Sequence, residues 1–406
     1  MTPAALFTTR VHHSVDDLPL GALEPLLASG TLYDSPAWLR YCEASSGGLL
    51  RHITLEDERG RTVGLASLRV VRDDQVMSLY NLQALLDSPA ADAEPAGEAR
   101  TESGTVSDSA PLFPSAVAAV SGGHCVLLTD PEADAALRSA QRGALARAAV
   151  EVAEAEGCVA TGFLYLAEDA AQDIADALGT DAPFLVAAQT ELVGGWPDFE
   201  HYLATLSTSR RGMVRRERRQ FAKGGITTRV LYGTQELDEA TAQLQLRLRE
   251  RYGVAGTVES ILRDYAQLRA TVEGQVRVFV CEQDGQPIGM SLGLVDGERL
   301  YMRLAGFDYS ATDTRFTYFN AVYYEPILWG IEHGIKRYFF STGTYDAKIA
   351  RGCTPVPLYG VVHWPAPLRE RAALRLAARE ASLRSELGLP ESPSAGGRDR
   401  KEGAAR

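Results

Sequence analysis

The segment Ser209–Lys223, with the sequence SRRGMVRRERRQFAK, begins the second half of the chain and is strongly basic in an acidic protein. Seven of its fifteen side chains are Arg or Lys and only Glu217 is acidic, whereas the 406-residue chain has a formal charge of −12. On a helix, four arginines form one cationic ridge: Arg211, Arg215, Arg218 and Arg219. Like charges at this spacing destabilise a helix unless an anion offsets them. The segment therefore predicts a binding site for phosphates, with a solvated helix face as the alternative.

Outward from this helix, the hydrophobic pattern predicts the same order of helices and strands twice, which indicates a duplicated α/β unit. The second half is predicted to contain helices at 199–222, 235–252, 258–272 and 315–333, and strands at 226–231, 276–282, 287–295, 299–307, 337–341 and 356–363. The first half is predicted to contain strands near His12, at 49–56, 63–71, near Val126, 159–166 and 184–192, and helices at 136–156 and 171–178. A further helix is predicted at 36–41, with Asp34 or Ser35 as its cap.

The repeat predicts two domains, at residues 1–195 and 196–365. Residues 87–111 carry six acidic residues and one basic residue among Ala, Ser, Gly and Pro, so we expect a disordered insertion in the first domain. Helical spacing of Ala, Leu, Arg and Glu predicts a helix at 366–390, and the composition of 391–406 predicts a disordered tail.

Composition and motifs exclude several classes of protein. Hydrophobic residues make up 45% of the chain and charged residues 23%, as in soluble globular proteins, and no apolar run indicates a membrane span or a signal peptide. Five cysteines lie singly, which favours a reducing cytoplasm. We expect no metal and no bound cofactor, because no metal-ligand spacing and no phosphate-binding loop occur. The segment Ser121-Gly122-Gly123-His124 could be an oxyanion loop, but without a nucleophile elbow it is interpreted as a turn.

The segment 315–364 carries most of the candidate site residues. Lys348 and Arg351 lie three residues apart after a Thr-Gly-Thr turn, so their cationic groups could converge on one anion. Several aromatic residues precede them on the predicted helix, where packing against the sheet is the default role. Arg303 stands in the apolar strand at 299–307, and a charged residue there lies either at an edge or in a site.

These stretches resemble a known family. The runs YFNAVYYEPILWGIEHGIKRYFF at 318–340 and GTYDAKIARGCTPVPLYGVVHW at 343–364 are similar to bacterial peptidoglycan biosynthesis/recognition proteins of the GNAT superfamily. Those proteins are relatives of the Fem-type aminoacyl-tRNA-dependent transferases. The resemblance also includes the basic helix and, more loosely, YDSPAWLRYCE at 33–43. Where the family usually has an acidic or amide residue and His before the Lys, this chain has Asp346 and Ala347.

The resemblance implies two tandem GNAT-like domains, a mixed α/β fold, and acyl transfer to an amine. The pyrophosphate loop of acetyl-CoA-dependent GNAT enzymes has no convincing counterpart here, which favours aminoacyl-tRNA as the donor. The expected enzyme is therefore an acyltransferase that moves an aminoacyl group from tRNA to an amine or hydroxylamine of a small metabolite or cell-wall precursor, in natural-product (antibiotic) biosynthesis. An acyl-CoA-dependent N-acyltransferase and a non-catalytic GNAT-like binding protein are the alternatives.

A mechanism can be assigned to these residues as a hypothesis. Lys348, Arg351 and Arg303 would surround phosphate or oxyanion charge, and Glu325 would act as a base. Tyr324 or Tyr345 would donate or relay the proton. The donor phosphates would be bound by Arg351 and the cationic ridge, which consists of Arg211, Arg215, Arg218 and Arg219.

Overall fold

The chain folds into a mixed α/β structure organised around one large sheet. A computed structural model describes residues 7–45, 49–73, 78–87, 112–252, 254–309 and 316–390. The predicted acidic insertion, apart from Asp87, and the predicted tail lie outside these residues. Within them, thirteen strands form a single sheet with helices on both faces.

In each half, helices precede a run of strands, and further helices and single strands follow it, as the sequence predicts. The strands of the first half are β1 (Phe7–His12), β2 (Leu49–Asp57), β3 (Thr62–Val71), β4 (Ser115–Ala118), β5 (Leu127–Thr129), β6 (Thr161–Leu166) and β7 (Phe184–Val193). Those of the second half are β8 (Thr227–Tyr232), β9 (Val276–Gln283), β10 (Gln286–Asp296), β11 (Arg299–Phe307), β12 (Arg337–Phe339) and β13 (Thr354–His363).

The strand order explains how the two halves join. It runs β1-β2-β3-β4-β6-β13-β7-β12-β11-β10-β9-β8, with β5 paired to β3. Each half contributes one parallel pair, β4 with β6 and β11 with β12, whereas the other pairs are antiparallel. Read inward from the two edges, the order is β1-β2-β3-β4-β6-β13 on one side and β8-β9-β10-β11-β12-β7 on the other. The two sides are therefore equivalent, except that β7 and β13, the last strands of the two halves of the chain, have exchanged places. The sequence predicts two units with a boundary at residue 195, but it does not predict this exchange of strands. Because of the exchange, one sheet includes strands from both sides of that boundary.

The helices cover both faces of the sheet. The helices of the first half are α1 (Leu20–Ser29), α2 (Pro36–Ser45), α3 (Leu82–Asp87), α4 (Ala135–Ala155) and α5 (Glu168–Leu178). Those that follow are α6 (Phe199–Thr205), α7 (Thr208–Lys223), α8 (Glu239–Arg251), α9 (Val258–Val272), α10 (Thr317–Phe319), α11 (Glu325–Glu332), α12 (Tyr345–Ile349) and α13 (Ala366–Leu387). Helix α2 packs against α9, so the two halves share one apolar core on that face.

Two predicted helices are each divided in the structure. The helix expected at 199–222 is α6 followed by α7, because Leu206 is extended (φ −87°, ψ 154°) and Ser207 caps α7 by accepting a hydrogen bond from the Arg210 N–H. The helix expected at 315–333 contains a wide π-helical turn at Asn320–Tyr324 between α10 and α11. The other predicted elements of the second half are confirmed within a few residues. In the first half, the sequence did not predict β4, α1 or α3.

Candidate functional site

A buried ionic triad joins α7 to the segment after α12. The Arg351 Nη2 donates to the Glu217 Oε2 at 2.8 Å, and the two side chains are only 3% and 5% exposed. The Tyr324 hydroxyl also donates to the Glu217 Oε2, and the Arg351 Nε donates to the Tyr324 hydroxyl oxygen at 2.9 Å. The third guanidinium nitrogen of Arg351, Nη1, donates to the Ala347 carbonyl at 2.8 Å. The charge of Arg351 is therefore balanced inside the protein.

The π-helical turn at Asn320–Tyr324 places the aromatic part of this cluster. The guanidinium carbon of Arg351 lies 3.5 Å from the centroid of the Phe319 ring and 5.3 Å from that of Tyr323. The Ser291 hydroxyl donates to the Ala321 carbonyl at 2.6 Å and supports the turn from β10. Wide turns of this kind are rare and occur often at functional sites.

Arg218 and Glu325 form a second ion pair beside the triad. The Arg218 Nη1 donates to the Glu325 carboxylate and, at 3.2 Å, to the Asn320 side-chain oxygen. Its guanidinium carbon also lies 5.5 Å from the Phe199 ring centroid. Glu325 is thus engaged by an arginine in this structure, which limits its freedom to act as a base.

The cationic ridge is only partly open to an anion. Besides Arg218, its member Arg215 is paired, with Glu200 of α6. Arg215 and Arg218 are therefore neutralised by glutamates of other helices, Glu200 of α6 and Glu325 of α11. In the part of the chain that the structure describes, the other α7 arginines make no ion pair: Arg210, Arg211, Arg216 and Arg219. Of these four only Arg211 is half-buried, and the rest are exposed.

Lys348 is buried next to the triad, but its amine points to backbone oxygens. The Lys348 Nζ donates to the carbonyls of Thr342 at 2.8 Å and Ser341 at 3.2 Å. The side chain is 4% exposed, and burial lowers the pKa of the Lys348 amine to about 7. The turn that presents these carbonyls has left-handed backbone at Ser341 (φ 62°) and Thr344 (φ 42°). Lys348 and Arg351 therefore do not converge on one point here.

The two tyrosines proposed for proton transfer lie in different places. Burial raises the pKa of Tyr324 well above its usual value, because an ionised phenol would be poorly solvated there. The Tyr345 hydroxyl oxygen accepts a hydrogen bond from the Ala188 N–H at 3.0 Å, in a cluster that includes Leu383 of α13. Of the two, only Tyr324 belongs to the triad.

Arg303 lies on the opposite face of the sheet from the triad. Its guanidinium carbon is 5.5 Å from the Tyr33 ring centroid and 5.3 Å from that of Trp38. We call Tyr33, Trp38 and Arg303 the seam cluster. Parallel pairing of β11 and β12 ends at Tyr301 and Phe339, so Arg303 stands where the two strands separate. Lys348 follows β12 on the other side of this separation.

A histidine–carboxylate pair borders the seam cluster and was missed by the sequence analysis. The Nε2 of His124 lies 2.7 Å from the Oδ1 of Asp34, and the His124 ring centroid lies 5.7 Å from that of Tyr33. Asp34 had been considered only as a helix cap and His124 only as part of a turn. Ninety residues separate the two, so no local pattern could have joined them.

Glu217 was also absent from the predicted site residues. It is the one acidic residue among the fifteen of Ser209–Lys223, and that exception was the available signal. Its burial at the α7 interface explains the exception, because a carboxylate there balances Arg351.

A comparison with protein-family models identifies the group to which the sequence belongs. Residues 121–384 match the FemAB-like model, described as peptidoglycan biosynthesis/recognition. The chain belongs to the FemAB-like family. The matched region includes the triad, Lys348, Arg303 and His124. This FemAB-like chain is not matched by any curated protein sequence.

Solved structures confirm the fold of the FemAB-like chain. It resembles FemX at 13% identity and a TM-score of 0.57, with 89% of this chain and 100% of FemX covered. It also resembles a tandem GNAT protein from the clavulanic acid biosynthesis pathway, at 14% identity, a TM-score of 0.51 and coverage of 89% and 99%. A third similar structure is L-PGS from Bacillus licheniformis, at 11% identity, a TM-score of 0.50 and coverage of 88% and 95%. The expected tandem GNAT-like fold is therefore correct.

Among the described residues, the protein has no helix that combines the length and the apolar character needed to cross a bilayer.

Proposed function

We propose that this FemAB-like protein is an acyltransferase that moves an aminoacyl group from aminoacyl-tRNA to an amine or hydroxylamine of a small metabolite or cell-wall precursor. The observation that carries the proposal is the group of exposed arginines on α7, in a chain whose formal charge is −12. A local basic surface on an acidic protein suits a partner that presents several phosphates at one place. RNA fits this description better than a single pyrophosphate does.

The way α7 is held supports this assignment. Glu217 and Arg351 fasten the inner face of the helix, so the outward arginines Arg216 and Arg219 sit on a rigid element. In this proposal Arg351 positions α7, and the phosphates contact the α7 arginines that form no ion pair within the described residues. Arg215 and Arg218 would join them only if phosphate displaced Glu200 or Glu325.

The turn after β4 offers little to a coenzyme pyrophosphate. The N–H groups of Gly122 and Gly123 donate to the Tyr80 hydroxyl oxygen at 3.0 and 3.3 Å, so the protein itself uses them. Together with the missing pyrophosphate loop in the sequence, this favours an RNA-bound donor over acyl-CoA.

The chemistry needs an amine, an activated ester and stabilisation of an oxyanion. The amine lone pair attacks the ester carbonyl carbon, a C–N bond forms, and the C–O bond to the tRNA ribose breaks. The amine gives up one proton and the ribose oxygen gains one. A protonated Lys348 has three N–H donors, of which the Thr342 and Ser341 carbonyls use two. In this proposal the third donates to an oxyanion placed in the gap where β11 and β12 separate, between Lys348 and Arg303.

The seam cluster is the proposed acceptor-binding region. Arg303 supplies a positive charge between two aromatic rings, which suits an acceptor that carries a carboxylate or phosphate. An acceptor from secondary metabolism is supported by the similar fold of the clavulanic acid pathway protein.

The proposal is tested by comparing donors. The purified chain is given either a pool of charged tRNA or a set of acyl-CoA thioesters, with hydroxylamine and anionic amines such as 2-aminoethyl phosphate as acceptors. We expect transfer from tRNA that RNase abolishes. Transfer from acyl-CoA that RNase does not affect would instead favour the acyl-CoA-dependent alternative, and no transfer from either donor would favour a binding protein.

A double variant tests the basic surface itself. Arg216→Ala with Arg219→Ala should weaken tRNA binding at low salt and flatten its salt dependence, because each lost phosphate contact lowers the slope of log K against log salt by about 0.7 to 0.9. Arg369→Ala with Arg371→Ala removes the same charge from the exposed face of α13 and serves as the control. Equal effects of the two double variants would argue against a specific surface on α7.

A further inference from the structure

We infer that His124, oriented by Asp34, accepts the proton that the acceptor amine loses during acyl transfer. This inference rests on the proposed function and adds a proton acceptor that belongs to the first half of the chain. It replaces Glu325 in that role, because Glu325 is engaged by Arg218 on the other face of the sheet.

Hydrogen bonds fix the Asp34 carboxylate, which in turn holds the His124 ring in one orientation. Its carboxylate is 2% exposed and accepts hydrogen bonds from the Thr31 N–H at 2.8 Å and the Thr31 hydroxyl at 2.9 Å, in addition to His124. Burial opposes the charge on Asp34, but His124 and the Thr31 hydrogen bonds outweigh it and hold the pKa of the carboxyl below its usual value. An ionised carboxylate only accepts, so the His124 Nε2 donates to it.

The other ring nitrogen of His124 is available. When Nε2 of a neutral imidazole carries the hydrogen, Nδ1 carries the lone pair that can accept a proton. Within the residues that the structure describes, Nδ1 of His124 has no hydrogen-bond partner, and the side chain is 24% exposed. The pair corresponds to the carboxylate and histidine of a catalytic triad, in which the carboxylate orients the imidazole and the other ring nitrogen accepts the proton. It does not include the nucleophile of such a triad.

The turn that carries His124 is held from both sides. The Trp38 Nε1 donates to the Ser121 carbonyl at 2.8 Å, and the Tyr80 hydroxyl oxygen accepts from the Gly122 and Gly123 N–H groups. Gly122 also lies so close to the Tyr33 ring that a Cβ would be 2.8 Å from it, at φ 120°. The segment Ser121-Gly122-Gly123-His124 is therefore a rigid turn, as its sequence predicted, but it carries a functional side chain.

His124 and Arg303 lie at corresponding positions in the two halves of the sheet. Parallel pairing of β4 with β6 ends at Ala118, and His124 lies on the turn that follows, as Arg303 lies just beyond the parallel pairing of β11 with β12. Tyr33 touches both, because its ring centroid is 5.7 Å from that of His124 and 5.5 Å from the Arg303 guanidinium carbon. A ligand held by Arg303 would thus lie one aromatic ring away from the free imidazole nitrogen.

Several charged and titratable groups face the turn that carries His124. These include Asp34, Tyr33, Cys42, Tyr80, Cys125, Tyr165 and Arg303. Burial raises the pKa of Cys42, Cys125, Tyr33 and Tyr165, so these remain protonated, whereas Asp34 stays ionised and is bonded to His124. The free Nδ1 of His124 is thus the basic atom that the turn offers to an amine.

The test is transfer to 2-aminoethyl phosphate and to hydroxylamine by the wild-type chain and His124→Gln. Glutamine can still donate to Asp34 but cannot take up a proton. We expect kcat with the amine to fall about 10²- to 10⁴-fold, the usual contribution of a general base, and the pH profile of kcat/KM to differ from that of the wild-type chain. With hydroxylamine, a much weaker base than an alkylamine, the loss should be smaller, because little proton removal is needed before attack.

The chain offers a matched control in a second histidine–carboxylate pair. The His201 Nδ1 of α6 lies 2.8 Å from the Oδ1 of Asp198, the residue that caps this helix, and both side chains are exposed. His201→Gln should leave the transfer to both acceptors and the pH profile unchanged. If His124→Gln does not fold, His124→Ala supplemented with imidazole replaces it, and added imidazole should restore part of the rate.

The possible failures are distinguishable. Wild-type turnover with an unchanged His124→Gln rate and pH profile, or equal losses with the two acceptors, would overturn the role of His124 and leave the proposed function intact. If the wild-type chain transferred an acyl group from neither tRNA nor CoA, the proposed function and this inference would both be overturned.

Discussion

The inner face of α7 contacts a buried, paired arginine, whereas its outer face carries exposed ones. On the inner face, Glu217 balances Arg351 at 2.8 Å, and both side chains are almost completely buried. On the outer face, Arg216 and Arg219 extend into solvent, and Arg215 meets Glu200 with 47% and 67% of the two side chains exposed. The inner pair fixes the helix and the outer arginines remain available, so one segment of like composition serves both stability and binding. Charge counting alone does not separate these roles, because burial decides them.

The largest expected effect comes from breaking the inner pair. Glu217→Gln should lower the free energy of unfolding by about 3–5 kcal/mol, because it leaves the Arg351 guanidinium buried without a counter-charge. Chemical denaturation followed by fluorescence measures the loss. A double variant, Glu217→Met with Arg351→Met, should recover much of it, since an apolar pair needs no desolvation of charge. A loss below about 1 kcal/mol for Glu217→Gln would mean that the two faces do not differ as described.

The second expected effect concerns Lys348, a buried amine that pairs with no carboxylate among the described residues. Burial lowers the pKa of its amine from 10.5 to about 7, so between these values the unfolded chain holds a proton that the folded chain has released. Stability should therefore rise with pH in this window, by at most about 1.4 kcal/mol per pH unit from this group. Below about pH 7 the contribution levels off, because both states are then protonated.

Lys348→Met isolates that contribution. The variant should lose the rise in unfolding free energy between about pH 7 and about pH 8.5, a range that stays below the titration of most thiols and phenols. Denaturation curves of the wild-type chain and the variant at several pH values measure the difference. Parallel pH dependences would show that Lys348 is not buried as an isolated amine. The proposed role in catalysis separately requires kcat/KM to fall in Lys348→Ala.

The sequence predicts most individual helices and strands, but it does not predict which distant strands pair or which distant side chains meet. The helix at 258–272 and the strand at 299–307 are present with the predicted bounds, because hydrophobic spacing and Asp-Gly turns specify them locally. The exchange of β7 and β13 depends on pairing between strands far apart in the chain, which no periodicity records. The pairs Glu217–Arg351 and Asp34–His124 are separated by 134 and 90 residues, and only folding brings them together. The same limit led us to group Arg303 with Lys348, although Arg303 faces the other side of the sheet.

The smallest expected effect on stability is that of Glu200→Gln. This variant tests whether the outer face of α7 contributes to tRNA binding without contributing to the stability of the fold. Glu200→Gln removes the partner of Arg215, an exposed pair of a kind worth about 0–1 kcal/mol, so the free energy of unfolding should change little. The same substitution frees Arg215 and removes a negative charge beside the cationic ridge, so tRNA should bind about two- to five-fold more tightly at low salt, with the gain disappearing as salt screens it. A binding titration at two salt concentrations, alongside a denaturation curve, measures both. A stability loss as large as that of Glu217→Gln, or weaker tRNA binding, would contradict the assignment of the outer face to a polyanion.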